Sequence, residues 1–129
     1  MAVGYLCDAV LDYKTTLRKL ALRDDRYVGA LLAREDASAV ESGLDAPTRA
    51  LVQIGALVAV DAAPPSYMNV VEAALDAGVT HEELVGALLV VLPVVGIPRL
   101  VSAAPKLGLA IGYDVGDALE AHDGDHDAA

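Results

Sequence analysis

The chain has 129 residues, which is enough for one domain around one hydrophobic core. Its apolar share of 55% comes mainly from Ala, Val and Leu, with no Phe and no Trp, and such small side chains suit closely packed helices. Nineteen acidic against nine basic side chains give a net charge of -10, which disfavours nucleic acid and an anionic membrane surface as partners.

A single cysteine, Cys7, rules out an intrachain disulfide, a Cys-x-x-Cys redox pair and a cysteine zinc cluster. The first ten residues hold no basic cluster and include Asp8, so they do not resemble a signal peptide. Both features favour the cytoplasm. The most apolar stretch, 84–98, has only fifteen residues and is too short to span a membrane. We expect it to form a helix buried on every side, with help from a neighbouring subunit.

The first half of the chain predicts three helices. Apolar residues at helical spacing indicate two of them over 13–34, separated near Asp24. The segment 35–46 mixes charged and small polar residues and predicts a connection. Asp45 can cap the third helix, predicted at about 48–60.

The second half also predicts three helices. A proline doublet starts a helix at 64–78, which ends at a glycine. Thr80 and Glu83 have the spacing of a capping box, which predicts that the apolar helix covers 81–95. A last helix at about 99–112 contains a proline that should kink it.

No strand pattern competes, so we expect an all-α, single-domain bundle of about six helices over 1–113. The remaining segment, 114–129, is acidic, holds no Lys or Arg and is predicted to be partly disordered. His122 and His126 in this tail resemble a loose metal-binding tract. A solvated tail is the preferred interpretation, because nothing in the sequence would fix the ligands of a metal ion.

Three blocks of sequence carry a resemblance to a known family. They are LDAPTRALV at 44–52, EAALDAGVTHEEL at 72–84 and GIP at 96–98. Together they resemble the carboxymuconolactone decarboxylase and alkylhydroperoxidase-D-like (AhpD-like) superfamily over a core of 44–98. The resemblance implies a helical bundle that associates as a homotrimer or homohexamer.

The redox branch of this superfamily carries a Cys-x-x-Cys-x-x-x-His motif before the second block and a Glu further upstream. Here the two cysteine positions fall on Ala63 and Ser66. The His position falls on Val70 and the Glu on Ala50, while a His that lines the site of decarboxylase-type members falls on Val90. Thiol chemistry needs a thiolate and a resolving sulfur, so the resemblance implies a degenerate, non-redox site without peroxidase or disulfide reductase activity.

The remaining candidate residues for a functional site lie around the helix that follows the proline doublet. Ser66 and Tyr67 lie in its first turn, where unpaired backbone N–H groups and the helix dipole favour a carbonyl or an anion. Asn69 lies on nearly the same face. The alternative is that Ser66 caps its own helix and Tyr67 packs in an interface. The predicted ligand pocket comprises Ala50, Ala63, Ser66, Tyr67, Asn69, Val70 and Val90.

Two charged residues near this region have alternative roles. Arg99 can clamp a ligand carboxylate, or it can pair with Asp61, Glu72 or a neighbouring subunit. Asp61 is expected to cap the turn before the proline doublet rather than to act in acid–base catalysis.

Two hypotheses for function stay open, and neither needs a cofactor. The first is a small apolar-ligand binding or oligomeric scaffold protein. The second is a non-redox lyase or isomerase, decarboxylase-like, that acts on a lactone or cyclic carbonyl compound, with Ser66, Tyr67 and Arg99 as candidate catalytic residues that polarise the carbonyl. Its weakness is that no side chain with a suitable pKa for proton transfer is evident. Whether the protein is an enzyme therefore stays open.

Overall fold

A computed structural model describes the backbone of residues 12–34 and 36–127 and the side chains up to residue 122. Cys7 lies outside the described residues. The described part of the chain contains eight helices and no strand, so the prediction of an all-α fold is confirmed. We number the helices α1 (Tyr13–Ala21), α2 (Asp25–Ala33), α3 (Ala37–Ser42), α4 (Ala46–Ala59), α5 (Pro64–Asp76), α6 (His81–Val95), α7 (Ile97–Ala110) and α8 (Val115–Asp127).

The prediction of about six helices was wrong by two. Helix α3 forms inside the segment predicted to be a connection and ends at Gly43, which adopts a left-handed φ of 69°. Helix α8 covers most of the acidic segment for which partial disorder was predicted. It packs against α7.

The chain divides into two compact units between Asp45 and Ala46. In the first unit, helices α1 and α2 begin at side-chain caps: the carboxylate of Asp12 accepts the N–H of Thr15, and that of Asp24 accepts the N–H of Tyr27 at 3.0 Å. These caps satisfy first-turn N–H groups that a helix leaves without partners. None of the three helices described in this unit contains a buried residue.

The second unit contains the hydrophobic core. Helix α4 packs against α5, α6 and α7, and α7 also packs against α5, α6 and α8. The apolar periodicity of these helices turns one stripe of each towards the others. The core consists of Ala50, Ile54, Val58, Tyr67, Val71, Ala74, Val79, Leu84, Leu88, Ala103 and Leu107.

The bounds of α6 follow from local sequence signals and agree with the prediction. The hydroxyl of Thr80 accepts the N–H of Glu83 at 3.1 Å, and the Glu83 carboxylate accepts the N–H of Thr80 at 3.0 Å, which completes the predicted capping box. The helix ends at Gly96, whose φ of 85° suits glycine. Helix α7 then begins at Ile97, earlier than predicted, because Pro98 is tolerated in a first helical turn.

Within the single chain, α6 is buried on one side only, so its expected burial on every side would need a neighbouring subunit and stays a prediction. Leu84 and Leu88 are buried against the core, whereas Val90 is 77% exposed and Val94 is 84% exposed. Helices α4 and α7 cover one side of α6 only. Its outer face therefore presents apolar side chains to solvent in the single chain.

We expect Gly108→Ala to destabilise the second unit by about 1–3 kcal/mol. A Cβ at Gly108 would lie 2.8 Å from the carbonyl oxygen of Tyr113 and 2.9 Å from a methyl group of Val115, so the connection between α7 and α8 would have to shift. Gly86→Ala is the matched control, since no atom lies within 4 Å of the new methyl. Alanine should stabilise that helix interior by about 0.5–1 kcal/mol. Urea unfolding measures both changes, and equal stabilities would contradict the packing at Gly108.

Candidate functional site

The irregular segment 60–63 links α4 to α5 and is held by a charged residue. Asp61 lies in this segment with a φ of 53°, a left-handed conformation that is uncommon for a residue with a side chain. The Ser102 hydroxyl donates to its carboxylate at 2.7 Å. The Lys106 ammonium donates to the same carboxylate oxygen at 3.1 Å and to the carbonyl of Ala62 at 2.9 Å. Helix α7 therefore fixes both the side chain and the backbone of this segment.

Arg99 completes the group of α7 residues around Asp61, with a distance of 3.3 Å between its guanidinium and the other carboxylate oxygen. Arg99, Ser102 and Lys106 lie three and four positions apart, which places them on one face of the helix. Hydrogen bonds from Ser102 and then from Lys106, together with the two positive charges, hold the pKa of Asp61 below its ordinary value. The carboxylate is thus charged at neutral pH.

The predicted capping role of Asp61 was wrong. The N-cap residue of α5 is Ala63, and it makes no side-chain capping hydrogen bond. The Asp61 carboxylate turns instead to α7, where two cations and a hydroxyl offer charge-assisted hydrogen bonds. Of the partners considered for Arg99, Asp61 is the one that it contacts within the single chain.

Tyr67 is the largest completely buried side chain among the residues that the structure describes. Its hydroxyl group has no hydrogen-bond partner among the described residues. Burial, and then the negative charge of Asp61, raise the pKa of Tyr67, so the phenol stays protonated and is a hydrogen-bond donor. A buried hydroxyl without a partner costs about 1–3 kcal/mol, and for that reason such groups are rare in folded proteins.

The first turn of α5 does not offer the row of free N–H groups that was expected at Ser66 and Tyr67. Pro64 and Pro65 have no N–H, and the N–H of Ser66 donates to the carbonyl of Ala63 at 3.1 Å. Ser66 itself is half-buried. Any polar contact to a ligand at this end of α5 must therefore come mainly from side chains.

The other residues of the predicted pocket separate into a buried and an exposed group. Ala50 is 4% exposed and belongs to the core, and Val70 is half-buried against it. Ala63 and Asn69 are exposed, and Val90 lies on the outer face of α6. Within one chain, Tyr67, Ala50 and Val70 lie in or against the core. The exposed Ala63, Asn69 and Val90 lie outside it.

Two polar members of the site, Ser102 and Lys106, were not singled out by sequence reasoning. The sequence did hold a signal that could have predicted Lys106 as a member, because Arg99 and Lys106 are the only Lys or Arg residues between Leu51 and Gly112. Two isolated cations on one face of an apolar helix require an acidic partner, and few acids are available in this half of the chain.

Other parts of the described chain offer weaker candidates for a functional site. A shallow groove at the start of α6 is lined by His81, Glu82, Val85, Gly86 and Leu89. Among the side chains of 12–34 and 36–122, no three His, Cys, Asp or Glu residues are placed to hold a metal ion, and the side chain of His126 lies outside this part. No helix in the described residues has the length and apolar character needed to cross a membrane.

Comparison with known proteins shows the family to which this region of the chain belongs. The model of the carboxymuconolactone decarboxylase family matches residues 26–107, more than half of the chain. The chain therefore belongs to the carboxymuconolactone decarboxylase family. No curated protein and no solved structure gives a significant match. The matched region includes Asp61, Tyr67 and the three α7 residues that hold Asp61.

Proposed function

We propose that the protein is a non-redox member of its family that binds a small apolar molecule through a carbonyl oxygen, with the Tyr67 hydroxyl as donor. The observation that carries this proposal is the completely buried Tyr67 hydroxyl, which has no partner in the described part of the chain. The proposed setting is a cytoplasmic homotrimer or homohexamer that uses no cofactor and contacts neither nucleic acid nor a membrane.

The surroundings of Tyr67 favour an apolar ligand with one acceptor. The core residues of α4 and α7 supply aliphatic surface, and the motif positions that carry sulfur and imidazole in the redox branch are Ala63, Ser66 and Val70 here. A protonated phenol in such surroundings needs an acceptor, and a ligand carbonyl provides one. Lactones and cyclic enones combine a carbonyl with a compact apolar ring.

A thermal-shift screen tests the binding proposal. Valerolactone, butyrolactone, cyclohexenone and larger ring analogues are added to the protein over a concentration series. A ligand present at one hundred times its Kd should stabilise the native state by about 2.7 kcal/mol and raise the melting temperature. Saturated hydrocarbons of the same ring size are the control, because they lack the acceptor. If no carbonyl compound exceeds its hydrocarbon control, the proposal fails.

A lyase or isomerase is the second candidate, and one feature favours it. The negative charge of Asp61 contributes to the raised pKa of the Tyr67 phenol, so the same part of the chain holds a carboxylate as well as a hydrogen-bond donor. The lowered pKa of Asp61 makes it a weak base, and for this reason we rank catalysis below binding. Incubation of a bound ketone in D2O separates the two, since catalysis would exchange the hydrogens next to the carbonyl and binding alone would not.

We expect no peroxidase or disulfide reductase activity. A hydroxyl forms no disulfide, so Ser66 cannot take part in the dithiol cycle, and the position of the second sulfur is Ala63. The measurement is a coupled assay with an organic hydroperoxide and a dithiol donor, with Cys7→Ser as the matched variant. Robust turnover by the native protein that disappears in the variant would make Cys7 the reactive thiol and overturn the non-redox assignment.

The proposed self-association uses the outer face of α6. Val90 and Val94 are more than three-quarters exposed in the single chain, and Ile97 and Val101 continue the apolar surface onto α7 with 70% and 67% exposure. We expect a second copy of the chain to cover these exposed apolar side chains. Exposed apolar surface of this kind is typical of subunit interfaces.

A further inference from the structure

We propose that the shallow groove at the start of α6 receives helix α1 of a second copy of the chain, with the apolar face of α1 on the groove and its positive charges beside Glu82. The inference rests on the proposed self-association and names the two surfaces that meet in it. It is independent of the proposed ligand. The groove adjoins the outer face of α6, because Leu89 in the groove directly precedes Val90.

Helix α1 has an apolar face that stays largely exposed in the single chain. Tyr13, Leu17 and Leu20 follow one another at intervals of four and three residues, so they lie on the same side of the helix. Their exposed fractions are 62%, 59% and 48%. A helix of nine residues is marginal in water by itself and gains most of its stability when such a face packs against another surface. The face therefore calls for a partner surface.

Positive charge accompanies the apolar face of α1. Lys14 and Arg18 lie four residues apart beside this face, and no carboxylate among the described residues forms an ion pair with either. In a chain with a net charge of -10, most of the Lys and Arg residues lie in this region: Lys14, Arg18, Lys19, Arg23, Arg26 and Arg34. The charge around α1 is thus opposite to that of the rest of the chain, which attracts it to another copy.

The groove at the start of α6 complements α1 in both respects. Val85, Gly86 and Leu89 line it with apolar atoms, and Val85 and Leu89 are exposed in the single chain. Glu82 adds a carboxylate to the same groove and forms no ion pair within the described residues. An apolar face with unpaired cations beside it therefore meets an apolar groove with an unpaired acid.

The symmetry of the proposed assembly favours α1 as the occupant over a second α6. A contact between two α6 helices joins one surface to itself, and such a contact pairs two copies and then stops. A contact between α1 and α6 joins two different surfaces, so each copy keeps one of each free and the chains close into a ring. A homotrimer requires a contact of this second kind.

Charge exchange between α1 and α6 tests the contact in the full chain, with the dissociation constant of the assembly read by light scattering over a dilution series. Lys14→Glu reverses a charge in the first turn of α1, where a glutamate suits the helix dipole. It should weaken association severalfold, and Glu82→Lys should do the same. The two substitutions together should restore association, because the pair is rebuilt with opposite signs, whereas unrelated effects would add.

An apolar substitution gives a larger effect. Leu17→Lys places a charge in the middle of the apolar face of α1 and should weaken association by more than about tenfold. Leu32→Lys is the matched control, because it makes the same change at an 80% exposed leucine of α2. It should leave the dissociation constant unchanged.

Crosslinking between two different variants identifies the surfaces that meet. In the Cys7→Ser background, chains with Leu17→Cys are co-expressed with chains that carry Leu89→Cys, and a short bismaleimide is added. We expect a product that joins one variant to the other, identified by mass spectrometry, and this product cannot arise within a single chain. Leu32→Cys in place of Leu17→Cys should give no such product.

The outcomes separate this contact from the proposals on which it rests. An unchanged dissociation constant in Leu17→Lys, or crosslinks only between identical variants, would overturn the contact between α1 and α6 and leave self-association standing. A native chain that stays monomeric would overturn self-association and this contact together, while the thermal-shift screen would still decide on ligand binding.

Discussion

Tyr67→Phe is expected to raise the melting temperature of the ligand-free protein. The substitution keeps the buried ring and removes a hydroxyl that has no partner among the described residues. Relief of that unsatisfied group is worth up to about 1–3 kcal/mol. For a chain of this size each kcal/mol corresponds to roughly 4 °C, so a rise of several degrees should be seen by calorimetry. The same variant should lose the response to carbonyl ligands, because it lacks the donor.

Tyr113→Phe is the matched control for this prediction. Its side chain is 57% exposed, so its hydroxyl is free to bond to water and its removal should change the melting temperature little. A fall in melting temperature for Tyr67→Phe would show that the buried hydroxyl has a partner in the folded protein. The main support for a ligand site at Tyr67 would then be gone.

Val90→Lys combined with Val94→Lys is expected to convert the proposed oligomer into a monomer. The two valines lie one turn apart on the outer face of α6 and are 77% and 84% exposed in the single chain. Burial of one such side chain contributes about 1.5–3 kcal/mol, and a lysine at the same position would bury an unpaired charge. Loss of both from every subunit should weaken association by more than about a hundredfold.

Light scattering and native mass spectrometry at micromolar concentration measure this effect. Leu119→Lys is the control, because it adds the same charge at an exposed leucine of α8 instead of α6. It should leave the assembly intact. A native protein that is already a stable monomer at this concentration would contradict the proposed assembly, and the exposed face of α6 would need another partner.

Local signals in the sequence were sufficient for helices α4 to α7, but not for α8, which forms where partial disorder was predicted. The bounds of α6 were predicted because a capping box and a terminal glycine both act within a few residues of the helix ends. The helix α3 was missed because its six residues are too few to show an apolar period. The sequence showed that α6 has apolar residues on every side. This pattern could not distinguish a helix that is buried within the chain from one whose outer face stays exposed in the single chain.

The candidate site could be predicted only in part, since its geometry depends on contacts between distant residues. Alignment with the family pattern pointed to Ser66, and the helix start after the proline doublet pointed to Ser66 and Tyr67. Nothing local indicated that Tyr67 would be completely buried and Ser66 only half-buried. Asp61 meets Ser102 and Lys106 across 41 and 45 residues of chain. Its left-handed φ is also invisible in the sequence, because aspartate adopts that conformation only occasionally. These features emerge only when α7 packs against α5.

Infrared difference spectroscopy of a bound cyclic carbonyl compound tests the central claim most directly. A hydrogen bond from a phenol weakens the carbonyl bond and lowers its stretching frequency. In the native protein, the stretch of the bound ligand should lie well below that of the same compound in an apolar solvent. In Tyr67→Phe, any residual bound ligand should lose this shift, whereas Tyr113→Phe should keep it. A bound ligand whose carbonyl frequency is the same in the native protein and in Tyr67→Phe would contradict the role of Tyr67 as the recognition group.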